Sequence, residues 1–440
     1  MCASEKRASE KRGSENNLSS NATTSAEPLA CKSPSDTLPK VLHYYLDFGS
    51  VGGIETFLPV VCQALLQRGQ FDPVVVCNQD TPLMQRLQSV GVRTLGLPLK
   101  HNRNGALNKT ATKYANVPKL TRILLEEKPA LVHVHLGRIE QLYLKALGFP
   151  LVYSFHGYGE HYNPSLAKGW AQRLLHQIKV PFFRWMVPYL DALLLVSRAE
   201  QQRLAEQGYL PAAGPHQPLA GDILYNGVQV AMLAEQASRL DRDAKRAALN
   251  IPPTAPCMAS IARLSPEKNS DRLVEVAERM AQQPGLEALH LIIAGDGPLR
   301  PTVLQQIAES PRREYIHYLG NRSDVIELYA LSDLALSLSS YEPFGISVLE
   351  AMATSTPVAA FAAGGIQEVL PPIADYPLIV PNGNYDQLVA RAAAYLTQTP
   401  ERQRQVQQQI FKQALEFDVE RTVVQLEATY GRVLQRTSRR

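Results

Sequence analysis

From residue 40 onward, short apolar runs rich in β-branched residues alternate with longer segments of helical periodicity, the pattern of parallel βαβ units. The runs predicted as strands are 41–46 (VLHYYL), 73–77 (PVVVC), 92–97 (VRTLGL), 131–135 (LVHVH), 151–155 (LVYSF) and 192–197 (ALLLVS). The rhythm then breaks. Residues 209–227 are rich in Pro and Gly, and AMLAEQASRLDRDAKRAALN behind them reads as a polar helix. A second series follows at 257–263 (CMASIAR), 289–295 (LHLIIAG), 315–320 (YIHYLG), 334–339 (LALSLS) and 357–361 (PVAAF). Two doubly wound parallel sheets with a cleft between them are the simplest account, an α/β chain of two Rossmann-like domains. The expected boundaries are 37–225 for the first domain, 226–416 for the second, and 417–440 for a helix crossing back to the first. Residues 1–36 hold five acids, five bases and few large apolar side chains, and are expected to be a disordered extension.

Length and composition agree with two cores: 440 residues, 45% hydrophobic and 20% charged, exceed what one core organises. The net charge is +4 and the basic residues are spread along the chain, which argues against nucleic acid as a partner. Cys2, Cys31, Cys62, Cys77 and Cys257 show no CxxC spacing, so neither a disulfide framework nor a zinc site is expected, and a reducing cytoplasm fits best. The opening MCASEKRASEKRGSE lacks the apolar centre of a signal peptide, and no stretch reaches the ~18 apolar residues of a membrane span.

Ligands of open α/β sheets bind beyond the carboxyl ends of the strands, and the chemically notable residues fall there. In YEPFGISVLEAMA, Pro343 and Gly345 break the preceding run, so the amides of Phe344, Gly345 and Ile346 open a helix N-terminus suited to an anion. Glu342 lies before that turn and Glu350 two turns inside the helix. Two acceptor carboxylates flanking a diphosphate site suit the hydroxyls at both ends of a nucleotide sugar. A capped helix whose carboxylates offset its dipole reads equally well.

RLSPEKN places Arg263 at a strand end and Lys268 at the start of the next helix, two cations able to neutralise a diphosphate. Alone, such a pair reads as solvated surface. Gly52 and Gly53 stand between the first strand and its helix, where a ligand can approach bare backbone, although the pattern is not GxGxxG. Gly364 and Gly365 repeat the arrangement ahead of Glu368. His156 ends the fifth strand. His133 and His135 alternate on the fourth and so share one face; with no third ligand nearby, they read as satisfied core histidines rather than a metal pair. Asp241 and Asp243 spell Asp-x-Asp within a polar helical stretch, a chance match.

Residues 165–190 contain four bases, no acid and both tryptophans. On a helical wheel Lys168, Arg173, Lys179 and Arg184 share one side, and Leu174, Ile178, Trp185 and Tyr189 the other, with Pro181 kinking the helix. Contact with an anionic membrane surface and packing on the first sheet with a solvated basic face are equally open.

EPFGISVLEAMA, RLSPEKN, GDGP, NGV (226–228) and GGIE (52–55), in their order along the chain, resemble the family 4 glycosyltransferases of GT-B fold over about residues 40–435, the Glu-x7-Glu segment being the most specific part. The resemblance implies a retaining, metal-independent hexosyltransferase with no cofactor, using a nucleotide diphosphate sugar held mainly by the second domain and a hydroxyl acceptor held mainly by the first. UDP is the default nucleotide, with GDP and ADP open; a polysaccharide, a glycolipid or a small molecule is the acceptor.

It further implies that Arg263 and Lys268 hold the diphosphate, Glu350 the ribose, Glu342 a place near the sugar, and the amides of Phe344, Gly345, Ile346 and Ser347 the phosphates and sugar. Gly52 and Gly53 would meet the diphosphate or acceptor from the opposite domain, and His156 the transferred sugar. The common GG.PE turn reads GGIQE here. Two other readings stay open: an epimerase or phosphorylase on the same two-domain plan, and a catalytically silent scaffold relative. The expected location is the cytoplasm, with peripheral contact at the inner membrane face.

Overall fold

The computed structural model describes residues 38–46, 52–98, 116–135, 140–157, 180–210, 221–370 and 378–439. The expected extension 1–36 lies outside them, as do the loop 47–51 ahead of Gly52 and the stretch 165–179.

The first sheet is built from β1 (Lys40–Tyr44), β2 (Asp72–Asn78), β3 (Arg93–Leu97), β4 (Leu131–Val134), β5 (Leu151–Phe155), β6 (Ala192–Leu195) and β7 (Asp222–Ile223). The second holds β8 (Cys257–Ile261), β9 (His290–Ala294), β10 (Ile316–Gly320), β11 (Leu334–Ser337), β12 (Val358–Phe361) and β13 (Ile379–Val380). Their orders are β3-β2-β1-β4-β5-β6-β7 and β10-β9-β8-β11-β12-β13, and every pairing between these strands is parallel. Strand order therefore reverses between β1 and β4 and between β8 and β11, the switch points where such sheets bind ligands. Burial on both faces explains why the strands read as continuous apolar runs rather than alternating ones.

Four helices bear on the site: α1 (Gly53–Arg68), α2 (Arg198–Glu206), α3 (Ile346–Ala353) and α4 (Val419–Thr437). The last packs on the first sheet. Val423, Leu426, Tyr430 and Val433 of α4 join Val41, Phe57, Val61 and Leu65 in one core cluster, and Arg68 Nε donates to Glu427 Oε2 at 2.9 Å. Cys62, Cys77 and Cys257 are buried thiols.

The single polar helix expected after residue 229 is two helices, Val230–Ser238 and Arg242–Ala248. Asp241 divides them as N-cap, its carboxylate accepting from Ala244 N at 3.0 Å, which gives the first acid of the Asp-x-Asp a structural task. One turn later Arg246 is 1% exposed. Its guanidinium donates to the carbonyls of Leu331, Pro253 and Ala255 and to Asp333 Oδ2 at 2.8–2.9 Å.

Residues 180–186 are helical. Phe183 and Met186 enter the first core, whereas Trp185 is 53% and Tyr189 48% exposed. Of the apolar side of the wheel, Leu174 and Ile178 lie outside the described residues, and Trp185 and Tyr189 face outward together with Arg184. Among the described residues no helix is long and apolar enough to cross a membrane.

Candidate active site

At the end of β11 the chain runs Ser339-Ser340-Tyr341-Glu342-Pro343-Phe344-Gly345 before α3 begins at Ile346. Gly345 is the N-cap and has φ 109°, a left-handed conformation open to glycine and costly for a side chain. No side chain caps α3, so its first amides stay available to an anion. Glu350 is the fifth residue of α3, one turn inside rather than two. The glycines after β12 close the loop from behind: Gly365 N donates to Glu342 O at 2.9 Å.

Lys268 reaches the same loop from the end of β8 and forms an ion pair with Glu342. Its position differs from the expected helix start. Pro266–Lys268 is a 3-10 turn, Asn269 follows at φ 47°, and the helix proper begins at Leu273 after a second 3-10 turn. Asn269 Nδ2 donates to Leu338 O at 2.8 Å, and Ser340 N to Glu267 O at 2.9 Å, so the β8 and β11 loops are tied side by side. Arg263 is exposed and bonds to none of the described side chains. A pocket of about 20 Å³ opens between the two loops, lined among others by Ile261, Lys268, Tyr329, Ser339 and Ser347.

Glu350 stands apart electrostatically. Desolvation pushes its carboxyl up to about 7, and Arg86, on a helix of the first sheet, partly opposes this. A partly buried carboxylic acid poised near neutrality beside a helix N-terminus is ready to accept hydroxyls once ionised.

The first sheet presents a second uncapped helix to this corner. Gly52 is the N-cap of α1, again without a side-chain bond, and a Cβ on Gly53 would stand 3.4 Å from Ile346 Cδ1. Two helix N-termini from opposite domains thus meet. Glu55 in the first turn of α1 is buried and accepts from Tyr45 Oη at 2.7 Å; an acid there stabilises the positive end of the helix. Further contacts join the domains beside the site. Ser197 Oγ donates to Pro343 O at 2.6 Å, Tyr341 Oη bonds Glu200, and Glu368 accepts from the amides of Arg198 and Ala199 at 3.0 and 2.8 Å. Glu368 therefore caps α2 from the other domain, and Tyr225 Oη also donates to it at 2.9 Å.

His156 follows β5, packs its ring 5.6 Å from that of Phe57 on α1, and precedes Gly157, which lies against Pro343. The expectation that His133 and His135 have no third ligand nearby is overturned: His43 on β1 is the register partner of His133. Parallel pairing of β1 with β4 across the switch point brings the three together, a proximity that residue spacing cannot display. Hydrogen bonds occupy five of their six ring nitrogens, His133 bonding Tyr430 Oη at 2.6 Å and Ser154 Oγ at 2.7 Å. Burial pushes His43 and His156 down to about 3, and His133 and His135 well below the ordinary range, so all four imidazoles are neutral at working pH.

Two Rossmann-like parallel sheets joined across such a corner, with the final helix returned to the first, define the GT-B fold. Residues 52–216 match the model of the glycosyl transferase 4-like domain, and residues 241–412 that of the glycosyl transferases group 1. Each half of the chain thus matches a glycosyltransferase domain, the 4-like domain in the first and the group 1 domain in the second.

It is similar to the D-inositol 3-phosphate glycosyltransferase of Kineococcus radiotolerans, 29% identical over 253 residues, which cover 54% of this chain and 55% of that protein. It is also similar to the N-acetyl-alpha-D-glucosaminyl L-malate synthase of Bacillus anthracis, 42% identical over 80 residues, 18% of this chain and 21% of the relative. The matched stretches thus span about half of one of these relatives and a fifth of the other. Among solved structures, Anabaena HepE in complex with UDP-glucose superposes with a TM-score of 0.69 at 20% identity, covering 89% of this chain and 99% of that one.

Proposed function

We propose that this chain is a retaining, metal-independent glycosyltransferase that moves a hexose-type sugar from a nucleotide diphosphate sugar, UDP-linked by default, to an acceptor hydroxyl. The observation that supports this most is the meeting of two uncapped helix N-termini with Lys268, Glu342 and the exposed Arg263 at the carboxyl edge of β8 and β11. Amide donors and two cations together suit a diphosphate. The flanking acids, Glu342 and Glu350, suit hydroxyls on either side of it.

In this reading Arg263 and Lys268 hold the diphosphate with the amides from Phe344 to Ser347, Glu350 takes the ribose, and Glu342 stands beside the sugar. His156 meets the sugar from the first domain, and Gly52 and Gly53 meet the diphosphate or acceptor from the same side. The bond from the anomeric carbon to the diphosphate oxygen breaks, and its electron pair leaves with the diphosphate. Arg263 and Lys268 stabilise that charge. The acceptor hydroxyl adds on the same face of the sugar, and its proton passes to the departing phosphate oxygen, so the configuration is retained without a protein nucleophile. Positive charge developing on the sugar ring is met by Glu342 and nearby carbonyl dipoles. Lys268 carries three donors, so it can keep Glu342 while reaching a phosphate oxygen.

Thermal stabilisation by a panel of UDP-, GDP- and ADP-sugars tests the donor assignment, since a ligand at ~100 times its Kd adds ~2.7 kcal/mol. A panel that leaves Tm unmoved refutes the reading. Turnover of a nucleotide sugar with no acceptor present would instead favour an epimerase. We also propose cytoplasmic residence with peripheral contact at the inner membrane face through 165–190. The exposed Arg184, Trp185 and Tyr189 support it, the two rings lying 5.2 Å apart. Sedimentation with anionic vesicles and no salt-sensitive binding would remove that contact.

A further inference from the structure

Three histidines, one on β1 and the others just beyond the neighbouring strands β4 and β5, form a hydrogen-bonded row leading to the proposed sugar site. His43 Nδ1 lies 2.9 Å from His135 Nε2, and His135 Nδ1 lies 3.0 Å from His156 Nε2. The paired ring planes are inclined by only 12° and 29°, with centroids 5.2 Å apart in both cases, so each ring meets the next through its nitrogens. The two end nitrogens, His43 Nε2 and His156 Nδ1, are shielded from solvent and have no hydrogen-bond partner among the described residues.

Proton counting restricts this row. Each neutral imidazole carries one N–H, and each nitrogen-to-nitrogen contact needs one N–H and one bare nitrogen. Mixed tautomers would set two hydrogens or two lone pairs face to face. Only two arrangements remain: all three rings protonated on Nδ1, or all three on Nε2. In the second, the unused N–H is that of His43, enclosed at 0% exposure in the core of the first sheet. In the first, it is that of His156, which is shielded here as well but belongs to a half-buried residue next to the one that abuts Pro343 of the opposite domain, so that parting of the domains there brings it a water or ligand oxygen. Stranded buried N–H groups are rarer than stranded acceptors, so the first arrangement prevails.

We infer that His43 and His135 are positioning residues that lock His156 as its Nδ1–H tautomer, making it a hydrogen-bond donor toward an oxygen of the transferred sugar. The sugar end of this statement rests on the transferase reading above; the tautomer assignment does not. Because the inner end of the row is sealed, it orients a donor and does not carry protons to solvent.

Long-range proton–nitrogen NMR of the full chain labelled with 15N-histidine reads the tautomers directly, with single His→Gln variants used for assignment. Nδ1–H signatures are expected for His43, His135 and His156 alike; an Nε2–H signature at His156 overturns the inference. His135→Phe should release His156 toward the Nε2–H form that free imidazoles prefer, and an unchanged His156 signature in that variant also overturns it. His43→Gln serves the same purpose where His135→Phe does not fold, since the wild-type spectrum already decides the first point. Adding UDP-glucose to the wild type should shift the His156 Nδ1 signal. Tautomers as stated but no such shift would uphold the locked row and refute the placement of the sugar beside His156.

Discussion

Donor affinity should follow the ionisation of Glu350. Its carboxyl titrates near 7 in the free protein because desolvation disfavours the charge. Ribose hydroxyls donate to the carboxylate far better than to the acid, so the competent fraction is the ionised one. With a pKa near 7 that fraction is about a tenth at pH 6 and about nine tenths at pH 8. The apparent Kd for a nucleotide sugar should therefore fall about tenfold between those values, with roughly one proton released per ligand bound at pH 6.

Stability moves in the opposite sense. The folded pKa lies above the unfolded one, so the contribution of this group is full below about pH 4.5 and is lost as pH rises through 7, at most ~3 kcal/mol in the empty protein. Bound donor should then stabilise more at pH 8 than at pH 5. Calorimetry with UDP-glucose in buffers of differing ionisation enthalpy measures both slope and proton release. Its phosphates are both esterified and do not titrate in this range, unlike the terminal phosphate of UDP. Glu350→Gln should flatten the profile. An affinity independent of pH in the wild type, or a slope that survives in Glu350→Gln, refutes the ribose assignment.

Lys268→Ala and Arg263→Ala should each cut kcat/KM by at least ~100-fold, the scale for losing one preorganised charge donor; turnover intact in both would refute the diphosphate assignment. Arg246→Ala should destabilise the second domain by ~1–3 kcal/mol in urea titrations, because three carbonyls lose a buried donor while Asp333 keeps Arg242 and the Cys257 amide; a loss well under ~1 kcal/mol would show that water replaces the guanidinium. Gly157→Ala places a Cβ 2.3 Å from Pro343 Cγ at φ +79°, so the domains must separate there. Its kcat should drop at least ~10-fold, since small displacements of positioned groups are costly, and an unchanged kcat would mean that the contact gives way elsewhere.

The long apolar runs announced eleven strands because parallel strands buried on both faces carry a continuous signal. The strands β7 and β13 were invisible: each has two residues, too few for any period, and exists through pairing with β6 and β12. The loops bearing Arg263, Lys268 and Glu342 were legible from Pro and Gly after each run, whereas the ion pair between Lys268 and Glu342 joins two loops far apart in sequence and was not among the expectations. Local geometry was less legible. Asn269 in a left-handed conformation inserts a second 3-10 turn, which moves Lys268 out of the helix that follows. His43 carried no motif, and its meeting with His133 and His135 follows from β1 and β4 being neighbours. The capping of α2 by Glu368 is likewise a contact between halves, and periodicity within either half holds no trace of it.

In the proposed mechanism, the placement of those cross-domain contacts ties catalysis to closure. Glu342 is flanked by two residues that the first domain holds, Tyr341 through Glu200 and Pro343 through Ser197, while Glu342 itself engages Lys268. Glu200 is in turn clamped by Arg203, whose guanidinium lies 4.8 Å from the Tyr341 ring centre. An opening motion at this corner must release residues 341 and 343 together, and with them the backbone that aims Glu342 and the first amides of α3. The ion pair with Lys268 spans two loops of one domain and can survive that release; the alignment of Glu342 with groups on the first domain cannot. In the proposed mechanism, Lys268, Arg263 and the first amides of α3 all belong to the second domain and engage the diphosphate before closure, and the sugar meets His156 once Pro343 is held by Ser197.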